Sequence, residues 1–119
     1  MSVETYQGSC HCGAVKYEAD LDLANPVIGC NCSMCQRKGT LLTFVPEAAF
    51  RLKAGEGATT DYTFNTNVIH HLFCKTCGVT SYATGKNREG SPMCAINARC
   101  LEGVEIDDLK INKWDGRSQ

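Results

Sequence analysis

Seven cysteines in three short blocks carry most of the chemistry this sequence can offer. They are Cys10 and Cys12 in GSCHCGAV, Cys30, Cys32 and Cys35 in GCNCSMCQRKG, and Cys74 with Cys77 in FCKTCGV. Thiolates are soft donors, and two of them one or two residues apart can close on a single metal ion from one turn. A strand running into Cys-x-x-Cys-Gly has the form of a zinc knuckle, in which Gly78 lets the backbone pass the second cysteine. One knuckle is half of a tetrahedral site. Cys10 and Cys12, followed by Gly13 much as Cys77 is followed by Gly78, are the natural other half. Joined, the two pairs make a closed four-cysteine site, structural in kind, that ties off a long loop. Cys30, Cys32 and Cys35 then stand as three ligands around a second zinc whose fourth position is open to exchange, the pattern of a catalytic ion.

Other partitions stay open on the spacing alone. Cys30 with Cys32, or Cys32 with Cys35, could complete the knuckle, and CHC could contribute no more than small buried side chains. A fourth ligand from His70, His71, Cys94 or Cys100 would close the second site and favour a non-catalytic, zinc-stapled binding module. Cys32 and Cys35 also have the spacing of a redox pair. Arg37 and Lys38, just after the triple, and Lys86 with Arg88 in a polar loop, could meet the carboxylate of an anionic thiol, or could simply solvate exposed turns. His70 and His71 face opposite sides of a strand, so one of them could approach the open zinc or carry a proton, or sit as a half-buried strand residue. His11 lies between two ligands and is expected to point away from the metal. Cys94 and Cys100 are expected on one face of a continuous strand, ~20 Å apart and out of reach of one another, as buried free thiols.

The elements that must position these residues are short. The sequence has 119 residues, enough for a single domain spanning 1–119 with a modest core. AVKYEA (14–19) alternates, with Val15, Tyr17 and Ala19 on one face. PVIGC (26–30), LLTFVP (41–46), FRLKA (50–54), TTDYTF (59–64), VIHHLFC (68–74), VTSYAT (79–84) and MCAINARC (93–100) follow, with turn residues between many of them. Phe44, Phe64, Phe73 and Tyr82 are expected in the core, and Trp114 over an edge of the sheet or the site. LEGVEIDDLK (101–110) could carry a turn or two of helix, and CSMCQRKG could wind once after its cysteines. The expectation is a mainly β chain whose thin core gains stability from bound metal.

Bulk properties narrow the partners. Nine cysteines are an odd number at spacings too short for a disulfide framework, and they suit a reducing cytosol. A net charge of -1 makes no electrostatic case for nucleic acid or an anionic membrane surface. No apolar run approaches the ~18 residues that span a bilayer. The start, MSVETYQGSC, has neither the basic residues nor the apolar stretch of a secretory signal. A soluble, cytoplasmic chain acting on a small-molecule thiol is expected.

GSCHCGAV, CNCSMCQRKG, FCKTCGVTSY, AINARCLEGVEI and WDGRSQ, in this order, resemble the family of glutathione-dependent formaldehyde-activating enzymes, which also includes the centromere protein V domain. The resemblance covers nearly the whole chain. It implies a β-tent of antiparallel sheets, a structural zinc on Cys10, Cys12, Cys74 and Cys77, and an open zinc on Cys30, Cys32 and Cys35. It also implies an activity: a thiol, glutathione in the family's enzymes, is received at the open zinc and added to formaldehyde, a carbon–sulfur lyase reaction written in reverse.

Overall fold

The computed structural model of the protein describes residues 3–63, 69–87 and 89–115. Two sheets pack on one core. The smaller is built from β1 (Glu4–Ser9), β2 (Lys16–Leu21) and β5 (Phe50–Ala54), with β2 in the middle. The larger contains β3 (Val27–Cys30), β4 (Leu42–Pro46), β6 (Thr59–Tyr62), β7 (His70–Cys74), β8 (Tyr82–Lys86), β9 (Pro92–Asn97) and β10 (Ile111–Trp114). Their spatial order is β10-β3-β4-β9-β8-β7-β6. Pairing is antiparallel throughout except between β10 and β3, which run parallel. One short helix, α1 (Ser33–Lys38), follows β3. This is the mainly β tent expected from the sequence, its two sheets joined at a cysteine-rich edge.

Strand alternation sorts the residues of the larger sheet onto two faces. One face carries Val27, Val45, Tyr82, Cys94 and Ile96, all buried against the smaller sheet. The smaller sheet answers with Tyr17, Ala19 and Leu21 of β2, and Val15 just before it. Tyr17 is the centre of this core, 1 % exposed. Its ring lies 5.2 Å from Phe50 and 5.8 Å, edge-on, from Tyr82. Its buried hydroxyl donates to the carbonyl of Ser81 at 3.2 Å, so the one polar atom on the ring is satisfied across the sheets. The outer face of the smaller sheet is charged. Arg51 donates to both carboxylate oxygens of Asp20 at 3.0 and 2.8 Å, and Lys53 lies 3.5 Å from Glu18.

The second face of the larger sheet is different. It carries Ile28, Leu42, Phe44, Ala83, Ala95 and His71, which line an open cavity together with Met34, Cys35 and Lys38 of α1. This corrects the expectation for Phe44: neighbouring Val45 takes the core position, so Phe44 points the other way and is 51 % exposed. Tyr82 is buried as expected, Phe73 is half-buried, and Phe64 lies outside the described residues.

Three further differences have local causes. MCAINARC is not one strand: β9 ends at Asn97 and Ala98–Cys100 turn as a 3-10 helix. Cys100 therefore leaves the face that holds Cys94. β1 and β10, absent from the expected strands, are poor in buried residues, and β10 has none. Their pairing partners define them, not their own periodicity. The 101–110 segment contains a single 3-10 turn, Ile106–Asp108.

β1 has room beside Tyr17 only because residue 8 has no side chain. A Cβ on Gly8 would sit 2.2 Å from Cζ of Tyr17. Gly8→Ala should therefore overpack the core and cost about 1–3 kcal/mol. Chemical denaturation should show this as a lowered midpoint at unchanged slope.

Candidate metal centre

Two clusters of thiols come together, one where the β1–β2 turn meets the β7–β8 turn and the other in the β3–α1 turn. Cys10, Cys12, Cys74 and Cys77 form the first, with every sulfur within 4.8 Å of every other. Its half-sites are matching turns. The Cys10 N–H donates to Val15 and the Cys74 N–H to Val79, at 3.1 and 3.0 Å, closing a loop over each pair. Gly13 and Gly78, one residue past each second cysteine, have φ of 84° and 80°, the left-handed region where glycine is unstrained. Within each turn, backbone N–H groups point at sulfur. Val15 N–H reaches Cys10 Sγ at 3.3 Å, and those of Thr76 and Cys77 reach Cys74 Sγ at 3.4 and 3.5 Å.

At Cys12 the N–H of Ala14 is outweighed by burial and the neighbouring thiols, which push it up to about 11, but at Cys74 and Cys77 such donors favour thiolate. The N–H groups of Cys77 and Thr76 hold Cys74 below the usual thiol range, and those of Val79 and Cys12 bring Cys77 down to about 6. Spacing tests the fit to a metal. Four sulfurs about 2.3 Å from a central zinc stand about 3.8 Å apart along the tetrahedral edges. The Cys10–Cys12 and Cys12–Cys74 sulfur separations are 3.7 and 3.6 Å. All nine cysteines are free thiols, so no disulfide competes for these positions. The cluster can hold a tetrahedral ion of zinc's size and softness.

Cys30, Cys32 and Cys35 form the second cluster, also with sulfurs within 4.8 Å of one another. Its scaffold is the strand-to-helix turn. Cys30 ends β3, Cys32 is the N-cap of α1, and Cys35 lies in the helix's first turn. Cys32 Sγ accepts the N–H of Cys35 at 3.3 Å, as a serine or aspartate oxygen would, and Cys30 Sγ accepts that of Cys32 at 3.4 Å. α1 thus begins within the triple and not after it. Burial opposes ionisation of Cys32, but the N–H groups of Cys35 and Met34 and the thiols of Cys35 and Cys30 together outweigh it and hold Cys32 below the thiol range. Cys35 is pushed up to about 12 by burial and by Cys32 beside it. A soft divalent ion seated among these sulfurs would replace the shared protons, and this donor set fits one.

The triple opens onto the bare face of the larger sheet. A cavity of about 440 Å³ runs from Cys30, Cys32 and Cys35 across Leu42, Phe44 and His71. Lys38 also lines it and donates from Nζ to Thr80 Oγ1 at 2.9 Å. Arg37 turns back to the carbonyl of Ser33 at 3.1 Å, outside the cavity. The two histidines separate as strand alternation requires. His70 bonds to Asp61 at 2.6 Å and His71 lines the cavity. Burial, and after it the charge of Lys38, lowers the pKa of His71 below the ordinary imidazole range. Neither histidine belongs to a thiol cluster, and His11 is exposed. Cys94 is buried in the core with its thiol pushed up to about 11, chiefly by burial. Cys100 contacts the Thr80 carbonyl at 3.6 Å, and neither it nor Cys94 joins a cluster. Lys86 lies at the far rim of the face, and Arg88 is outside the described residues.

Two residues matter more than their types suggest. Asn97 is a buried amide at the end of β9. It accepts from Leu41 and Arg99 N–H groups at 3.4 and 3.2 Å and donates to the Thr80 carbonyl at 2.8 Å. It thereby ties the segment after α1 to the segment after the knuckle, and so one thiol cluster to the other. Trp114 reaches the cavity because β10 pairs in parallel with β3, placing it opposite Cys30. An asparagine after a strand of small apolar residues and a tryptophan near the end of the chain are weak signals without these pairings.

The sequence profile of the glutathione-dependent formaldehyde-activating enzymes matches residues 5–113. The chain belongs to that family. A crystal structure of a Rhodobacter sphaeroides protein is similar over 89 % of this chain and 99 % of its own, at 31 % identity and a TM-score of 0.77. The family match spans all seven clustered cysteines, from Cys10 to Cys77. Among the described residues no helix is long and apolar enough to cross a membrane.

Metal content should separate the two clusters. Elemental analysis of reduced protein should give two equivalents per chain. A Cys30→Ser, Cys32→Ser, Cys35→Ser variant should keep one and remain folded. Cys74→Ser with Cys77→Ser should lose the fold together with the first ion.

Proposed function

We propose that the protein is a zinc-dependent carbon–sulfur lyase-like enzyme that takes a small thiol at Cys30, Cys32 and Cys35 and adds it to an aldehyde such as formaldehyde. The observation that carries this reading is the partition of seven cysteines into a saturated set of four and a set of three that faces a cavity. The four would hold a structural zinc. Cys30, Cys32 and Cys35, which line the cavity, would hold a second zinc with fewer protein ligands than a closed site has. When bound there, zinc supplies a Lewis acid that lowers the pKa of an incoming thiol and presents it as thiolate near neutral pH.

The protein's own residues do the rest. With Cys30, Cys32 and Cys35 as thiolate ligands a bound ion would carry a net charge of about -1 by ligand counting, which would suit a soft sulfur better than water. Lys38 lies beside this negative set and balances it. The apolar wall of Leu42 and Phe44 keeps the aldehyde near the sulfur. In the reaction the thiol sulfur bonds to the aldehyde carbon and the carbonyl π pair moves to oxygen. The proton given up by the thiol is carried on the imidazole of His71 and ends on that oxygen, so the product is the S-hydroxymethyl adduct. Glutathione is the thiol that family membership points to first.

A second reading treats Cys32 and Cys35 as a redox pair, favoured by their placement at the start of α1. Zinc that protects both thiols from alkylation would count against it.

Zinc-loaded protein should accelerate the appearance of S-hydroxymethyl adduct from ¹³C-formaldehyde and thiol, followed by NMR. The Cys30, Cys32, Cys35 triple serine variant should return the rate to the uncatalysed one. Failure of the wild-type protein to bind any of several low-molecular-weight thiols would sink the proposal. His71→Asn should leave thiol binding within about twofold while lowering turnover about a hundredfold. Because the imidazole must be neutral to accept a proton and its pKa is depressed, the wild-type rate should fall with acid only below the ordinary imidazole range.

A further inference from the structure

Two cavities meet at the open thiol cluster, and they differ in chemistry. The larger has a floor of Ile28, Leu42, Phe44 and Ala95. A second, of about 380 Å³, lies at the ends of β3 and β10 and is lined by Asn31, Gln36, Lys113 and Asp115. Both cavities include Cys30 and Trp114, which are partners in the β3–β10 register, so they adjoin there. The second owes its room to Gly29, the partner of Lys113, which places no side chain beside it. Asp115 is oriented from the turn after β3. Asn31 Nδ2 donates to its Oδ1 at 3.0 Å, and the Asn31 N–H donates to the Trp114 carbonyl at 3.1 Å. A carboxylate accepts several hydrogen bonds, so this one aims Asp115 without exhausting it.

Unlike charges narrow the ligand. Lys113 and Asp115, on either side of Trp114 in sequence, bring an ammonium and a carboxylate into one cavity. Their complement is a carboxylate beside an ammonium, the free α-amino acid end of a peptide-like molecule. Asn31 and Gln36 add amides, which suit peptide N–H and C=O groups. In glutathione the γ-glutamyl end carries both charges on one carbon, whereas the glycine end carries a carboxylate alone. Reach agrees with this. Lys113 is one residue along and one strand across from Cys30, roughly 6 Å between Cα atoms by strand spacings, and the γ-glutamyl arm is longer than that. Among the described residues lining the larger cavity there is no carboxylate to meet the ammonium. Stripping water from that group over apolar side chains would be costly.

We infer that Lys113 and Asp115 bind the γ-glutamyl end of glutathione in the polar cavity while its sulfur sits at Cys30, Cys32 and Cys35. The inference rests on the function proposed above and adds the residues that select the thiol. The aldehyde then reaches the sulfur from the apolar side, past Leu42 and Phe44, so each reactant has a cavity of its own. Lys113 and Asp115 fix which thiol is chosen and touch none of the reacting atoms.

Trp114 makes the test direct, because it is the only tryptophan in the chain and it borders both cavities. Its fluorescence should be followed while zinc-loaded protein is titrated with glutathione and, separately, with N-acetylcysteinylglycine, which keeps the thiol and the glycine end but lacks the γ-glutamyl charges. Glutathione should bind about tenfold more tightly or better, the worth of a charge-assisted pair. Lys113→Gln with Asp115→Asn, both exposed positions, should reduce that ratio to about one. The same variant should leave N-acetylcysteinylglycine binding, zinc content and the circular dichroism spectrum unchanged. Equal binding of the two thiols to the wild-type protein would overturn the inference and leave the proposed function standing. A preference that survives the double variant would overturn the assignment to this cavity, and so would a variant that loses both thiols equally. No binding of either thiol to the wild-type protein would overturn the inference and the proposed function together.

Discussion

Convergence of Cys10, Cys12, Cys74 and Cys77 is the constraint on which the rest of the structure hangs. The first pair sits in the turn between β1 and β2, and the second in the turn between β7 and β8, so the cluster joins the two sheets at one edge. Cys12 and Cys74 are 62 residues apart in sequence and their sulfurs are 3.6 Å apart in space. An ion bound by these four thiols would be a cross-link of that span and would remove about 4 kcal/mol of loop entropy from the unfolded chain on the usual scale. A core built around Tyr17, Phe50 and Tyr82 is small, and a staple of this size is a large fraction of the stability such a chain can have.

Having secured the sheets at that edge, the fold is free to leave one face of the larger sheet uncovered. Its inner face supplies the core, with Val45, Cys94 and Ile96 packed against Tyr17 and its neighbours. Its outer face would be an aggregation hazard if it were flat, but here it is a concavity that ends at three thiols. The two clusters divide the work by saturation. Four sulfurs would saturate a tetrahedral ion, whereas three sulfurs beside a cavity would not. The backbone N–H groups that bond to Cys32 and Cys74 do similar jobs in both places, lowering the cost of the thiolate form before any ion arrives.

Asn97 connects the parts. Its amide spans the segments that follow α1 and the knuckle, and Lys38 of α1 reaches Thr80 on the same second segment. Arg99, just beyond, donates to the carbonyl of Gly39 at the end of α1 at 2.9 Å. The open cluster is therefore braced from behind by bonds that lead back to the closed one. Preorganisation of three sulfurs around a vacant direction requires this, since a helix of six residues has little stability of its own.

Much of this was written locally. Cysteine spacing determined the three local groups, because residues one to three apart in a turn cannot avoid one another, and Gly13 and Gly78 marked where two of those turns must bend. That Cys10 and Cys12 meet Cys74 and Cys77 was left to tertiary structure. Alternation determined β2 and most of the strands of the larger sheet, because a buried face demands period two. Tertiary structure decided what alternation cannot. A strand pattern says that Phe44 and Val45 face opposite ways, but not which way the core lies, and the smaller sheet covers Val45. It decided β1 and β10, whose residues bury little and which exist because β2 and β3 offer their hydrogen-bonding edges. It ended β9 at Asn97, where a side chain satisfied by three segments replaces the next rung of the ladder. It also separated Lys38 from Arg37 and His71 from His70, adjacent residues of like chemistry of which only one in each pair meets the cavity. Neighbours in sequence share a composition, but a side chain's surroundings are set by whichever distant strand arrives beside it.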